Sequence, residues 1–171
     1  DAHRAGRFAE AEAAYRRILE IASNNADALH LLGLVHHQYD RNELALENVQ
    51  SAIGVNGAVG NYHNSLGLVL RTLRRQEDAE LAVRTALSLN PADADALKNL
   101  GLVYTDQRRF GEAEDVLRRS LDIRPDDPGT LNNLGRALVA LARPRDAVAV
   151  LQSACRLDGQ NSDFRNSLGV A

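Results

Sequence analysis

Residues 131–135 read Leu-Asn-Asn-Leu-Gly, and close variants return along the chain: LHLLG at 29–33, HNSLG at 63–67, LKNLG at 97–101 and RNSLG at 165–169. The Leu-Gly pair falls at 32/33, 66/67, 100/101, 134/135 and 168/169, a spacing of 34 each time. A fixed period between about 20 and 50 residues marks a solenoid or array, in which no unit buries its apolar face alone. Placing Leu-Gly at positions 7 and 8 gives complete units at 26–59, 60–93, 94–127 and 128–161. Residues 1–25 supply a partial unit before them and 162–171 begin another.

The first half of each unit reads as a helix. Position 34 of the preceding unit is Asn25, Asp93, Asp127 or Asn161, each a good N-cap, and Val59 is the exception. Pro128 stands at the first helical position, where its missing N–H costs nothing. Apolar residues at positions 4, 7, 10 and 11 form one face, as in Leu97, Leu100, Val103 and Tyr104.

The second half reads as another helix. Position 16 is arginine throughout: Arg7, Arg41, Arg75, Arg109 and Arg143. Position 19 is acidic in Glu10, Asp78, Glu112 and Asp146, so each arginine is expected to offset a helix dipole and pair three residues on. Position 20 is always alanine, and Pro91 and Pro125 close two of the second helices. Small residues at 8 and 20 let the paired helices approach closely. The fold class that follows is all-α, an α-solenoid of antiparallel helix pairs.

The pattern of Leu97, Leu100, Gly101, Tyr104, Ala113, Leu117, Ser120 and Pro125 resembles the tetratricopeptide repeat, and the resemblance covers the whole chain. It implies a right-handed superhelix with first helices lining a concave groove. It further implies a non-catalytic scaffold that binds a protein or peptide there. Chaperone-tail repeats of this family use a set of Lys, Asn and Arg at positions 2, 5, 6 and 9 that no consecutive units here match. The units also resemble the repeat arm of bacterial O-linked GlcNAc transferase-like proteins. Asn99 and Asn133 echo that arm's asparagine ladder, while Leu31, Ser65 and Ser167 interrupt it. On this alternative, the chain is the substrate-recruiting arm of a glycosyltransferase.

First-helix positions 2, 5, 6, 9, 12 and 13 should face or border the groove, and they nominate His30, Leu34, His37, Asn64, Leu68, Arg71, Lys98, Asn99, Leu102, Asn132, Asn133, Arg136 and Asn166. An apolar stripe beside amides suits an extended peptide, because amides bond both N–H and C=O without demanding a charge.

Other chemistry is sparse. His30 and His37 are seven apart, not the four of a helical metal pair, so no metal, cofactor or catalytic residue is assigned. His36 is expected in the core, and Cys155 as a small buried hydrophobe. The glycines of IGVNGAVGN (53–61) follow no strand, so they mark a weak helix end rather than a phosphate loop. A net charge of −3 argues against nucleic acid, and the chain has no long apolar run to cross a membrane. One cysteine fits a reducing, cytoplasmic setting. The chain begins on Asp1, contains no Met and stops within a first helix, which reads as an excerpt. Its uncapped terminal repeats offer faces for end-to-end self-association.

Overall fold

The computed structural model describes residues 7–171, so the first six residues of the opening partial unit lie outside it. The chain divides into two compact units, residues 1–91 and 92–171.

The first unit carries α1 (Phe8–Ile21), α2 (Ala26–Gln38), α3 (Asn42–Val55), α4 (Gly60–Thr72) and α5 (Gln76–Leu89). Asn25 accepts from the Ala28 N–H and so caps α2. Val59 adopts the same extended backbone before α4 but has no side chain to accept with. Helices α2 and α3 pack as one hairpin and α4 and α5 as another, with α1 against α2 and α3 against α4. The hairpins close tightly because position 8 has no side chain. A β-carbon on Gly33 would lie 2.7 Å from Val49 Cγ2 and 3.2 Å from the Ala45 carbonyl oxygen.

The second unit carries α6 (Ala94–Asp106), α7 (Phe110–Ile123), α8 (Pro128–Ala140), α9 (Pro144–Leu157) and α10 (Ser162–Val170). Asp93, Asp127 and Asn161 each accept backbone N–H groups at the starts of α6, α8 and α10. Helices α6 and α7 form one hairpin and α8 and α9 the next, and α10 packs on α8 and α9. Leu97, Leu100, Val103 and Tyr104 are all buried, as their spacing requires. A β-carbon on Gly101 would meet Leu117 Cγ at 2.6 Å. Ser120 donates to the Ala94 carbonyl at 2.8 Å and ties α7 to the start of α6.

Position 20 alanines are buried in every hairpin, from Ala11 to Ala147. The turns within hairpins share a feature that the sequence does not advertise. Asp40, Arg74, Arg108 and Ala142 all have positive φ, from 56° to 62°. The next residue's N–H then bonds back across the helix end, as from Arg143 to the Leu138 carbonyl at 2.9 Å. Only Asp40 is a residue type that tolerates this left-handed region well.

Position 16 arginines follow the end of the first helix, to which their N–H groups bond back, and stand at the N-cap of the second. One detail departs from the sequence reading. Cys155 is half-buried rather than buried, because position 28 lies at the margin of the hairpin contact. His36 does sit in the core, with its Nδ1 unpaired and its pKa lowered by burial.

Candidate functional site

In the first unit, the candidate face is formed by α2 and α4, which touch along positions 5 and 6. His30 Nε2 bonds Ser65 Oγ at 2.8 Å, and its ring lies 4.7 Å from that of Tyr62. Tyr62 in turn donates to Asp27, and its pKa rises to about 12, first through burial and then through the Asp27 carboxylate. Burial lowers the His30 pKa, with Asp27 partly opposing. His37 Nδ1 meets Asn42 Oδ1 at 2.7 Å, across the α2–α3 turn. Both histidines are therefore engaged in bracing helices. Leu34, Asn64, Leu68 and Arg71 are half-buried on the same face.

In the second unit, the face is formed by α6, α8 and α10. Lys98 lies between Asp95 at 3.0 Å and Asp127 at 3.2 Å, and Arg124 reaches Asp95 at 2.7 Å. Burial alone would lower the Lys98 pKa, but hydrogen bonds to the two carboxylates outweigh it and hold it raised. Burial would likewise raise Asp95 and Asp127. Arg124 and Lys98 on the first, and Thr130 and Lys98 on the second, reverse that and lower both. This ion cluster neutralises the one lysine in the chain, so Lys98 fastens α6 to the start of α8.

Asn99, Leu102 and Asn133 are half-buried beside it. Asn132 is not open to a ligand in the way its position suggested. It is only 7% exposed, and its Oδ1 has no hydrogen-bond partner. Arg136 and Asn166 are exposed, and the fold brings them together. They share a cleft of about 320 Å³ with Ser167 and with Val139 and Val170. Such a cleft offers a five-donor fork and an amide over an apolar floor, which matches a peptide backbone or carboxylate carrying an apolar side chain.

The position 16 arginines are held by acids. Arg75, Arg109 and Arg143 pair with Asp78, Glu112 and Asp146 at 2.7, 2.5 and 2.6 Å, and Arg7 reaches Glu10 at 3.5 Å. A second acid escaped the sequence reading. Glu12 reaches Arg41 at 3.2 Å, and Glu114 reaches Arg143 at 2.7 Å, each from the preceding hairpin. The signal was a glutamate at position 21, five residues after each arginine in three of the units.

Among the described residues, no three His, Cys, Asp or Glu side chains converge as a metal site would require. Among the same residues, no helix is long and apolar enough to cross a membrane.

Comparison with known proteins agrees with this architecture. A family profile described as tetratricopeptide repeat matches residues 1–58 and 64–128, and a second of the same description matches 104–169. No curated protein matches the chain in sequence. Among solved structures, the chain is similar to PilW, a type IV pilus biogenesis factor, with a TM-score of 0.87 and 22% identity over 99% of this chain and 82% of that one. It is similar to TTC0263, a tetratricopeptide protein of Thermus thermophilus, with a TM-score of 0.85 and 21% identity over 98% and 92%. It is similar to YrrB, described as having an unusual peptide-binding site, with a TM-score of 0.74 and 20% identity over 97% and 86%. At these identities the likeness concerns the fold.

Proposed function

The chain belongs to the tetratricopeptide repeat family, and on that premise we propose that it is a non-catalytic scaffold that captures a peptide or protein segment on its first-helix face. The reading treats residues 1–171 as one solenoid segment working in the cytoplasm. The observation that carries it is the cleft between α8 and α10, where Arg136 and Asn166 stand over Val139 and Val170. Leu102, Asn99 and Asn133 extend the same mixture of apolar and amide groups along α6 and α8. The family's general role as an interaction scaffold and the peptide-binding site named for YrrB support the assignment.

Peptides selected from a random library displayed on phage, with the purified chain as bait, test it. The double variant Arg136→Ala, Asn166→Ala replaces two exposed residues. It is expected to keep the thermal midpoint and to weaken the selected peptides at least about tenfold, or about 1.4 kcal/mol. Equal binding by the double variant would remove the assignment.

A further inference from the structure

The helix α3 lacks both acids that its counterparts use. Position 19 is Leu44 where the other units have Glu10, Asp78, Glu112 and Asp146. Position 21 is Leu46 where α1, α5 and α7 have Glu12, Glu80 and Glu114. Leu44 leaves Arg41 without an acid three residues on, and Leu46 leaves Arg75, in the next hairpin, without the acid from the preceding one. In the second unit, Arg143 shows what a position 16 arginine does when both acids are present. Its Nε and Nη2 hold Asp146 at 2.8 and 2.6 Å, while Nη1 takes both oxygens of Glu114 at 2.7 and 2.9 Å. Arg75 repeats only the first half, with Nε and Nη2 on Asp78 at 2.9 and 2.7 Å. Among the described residues no hydrogen bond or ion pair reaches its Nη1, and position 21 of α3 is Leu46, which has no carboxylate to offer.

Beside this half-used guanidinium lies a cleft of about 270 Å³, lined by Arg75, Gln50, His63, Leu66, Leu70 and Leu81 among others. The cleft is lined at position 4 of the unit by a histidine. Leucine stands there in Leu29, Leu97 and Leu131, whereas His63 is held by the Gly57 carbonyl at 2.9 Å. Leu81 is 68% exposed, so the cleft has an apolar wall open to solvent. On the α4 helical wheel, His63, Leu66 and Leu70 face away from Asn64, Leu68 and Arg71. This cleft is therefore separate from the first-helix face.

We propose that the cleft is a second binding site and that it takes a peptide segment in which a Glu or Asp carboxylate adjoins a large apolar side chain. The carboxylate occupies the place that Glu114 occupies on Arg143 and bonds Arg75 Nη1. The apolar neighbour covers Leu81 and Leu66. Such a partner completes in trans the two-carboxylate arrangement that the chain builds for itself at Arg143. A charge-assisted hydrogen bond from a guanidinium to a carboxylate is about twice as strong as a neutral one, and an adjoining apolar contact keeps water from competing.

The probes are N-acetyl-Leu-Glu-Leu-amide and its glutamine counterpart, titrated into the 15N-labelled chain. The glutamate probe is expected to bind at least tenfold tighter, and to shift the Arg75 Nε–H signal and amides around Leu46 and Leu81. Leu46→Glu restores the missing acid in cis and is expected to abolish that binding. Glutamate at this position is already accommodated in α1 and α7. Leu81→Ser, at an exposed position, is expected to weaken the probe without moving the thermal midpoint. Equal affinity for the two probes, shifts confined to α6 and α8, or unchanged binding in Leu46→Glu would each overturn the proposal. A concentration-dependent dimer abolished by Leu46→Glu would also overturn it, by making the surface an interface between copies.

Discussion

Gly33 packs against Val49 so closely that a β-carbon would lie 2.7 Å from Val49 Cγ2. Valine has essentially one rotamer in a helix, so it cannot swing aside. The Ala45 carbonyl, 3.2 Å from the same point, blocks the other escape. Alanine would gain up to about 1 kcal/mol in helix propensity, but overpacking costs about 1–3 kcal/mol and wins. Gly33→Ala is thus expected to lower stability in chemical denaturation. The double variant with Val49→Ala should lose less than the sum of the two single changes. Gly54 is the control, since a β-carbon there meets nothing within 4 Å. Gly54→Ala should stabilise α3 by about 0.5–1 kcal/mol.

Ala142 holds φ at 56° in the turn between α8 and α9, with no side-chain hydrogen bond to compensate. The left-handed conformation costs an L-residue about 1–2 kcal/mol, while glycine loses about 0.4–1 kcal/mol through its freer unfolded chain. Ala142→Gly should therefore raise stability by a net of about 0.5–1 kcal/mol. A denaturation midpoint that stays put or falls would show that the turn is not strained.

Val59 carries the backbone of an N-cap without the side chain for it. Its φ and ψ of −99° and 107° lie close to the −78° and 102° of Asn25, which does cap α2. Val59→Asp should stabilise α4 by about 1 kcal/mol. In the wild type, amides at 54–60 should exchange faster than those at 88–94. Asn56 Oδ1 bonding the Ala58 N–H at 3.1 Å only partly offsets the missing cap.

Two pH windows follow from the groups whose pKa values the fold moves. His30 and His36 have pKa values lowered by burial, so the folded chain resists their protonation. Their contribution is complete above the unfolded value of about 6.5 and falls away as pH drops below it. His36→Phe should flatten that part of a thermal-midpoint profile. Asp95 and Asp127 are lowered in the folded chain, so their contribution is complete above about pH 4 and lost in more acid solution. Lys98→Met should cost about 1 kcal/mol at neutral pH and raise the Asp127 pKa in an NMR titration.

Much of the fold was legible because repetition averages over single positions. Leu97, Leu100, Gly101 and Ala113 declare their packing by recurring at a fixed spacing, and Asn25, Asp93, Asp127 and Asn161 declare the helix starts. The site was less legible because groove positions specify direction, not freedom. Asn132 points where a groove residue should, yet neighbouring helices cover it. Lys98 looked like a ligand-binding cation until Asp127, 29 residues on, closed on it. The position 15 strain left no trace in the sequence, since Arg74, Arg108 and Ala142 share no chemistry suited to a positive φ.

The central claim is that the first-helix face captures peptide, and a backbone amide shift map of the 15N-labelled chain with a phage-selected peptide tests it most directly. The account predicts shifts concentrated at Leu102, Asn133, Arg136 and Asn166 that vanish in the Arg136→Ala, Asn166→Ala variant. Shifts confined to α7 and α9, or an unchanged map in that variant, would contradict it.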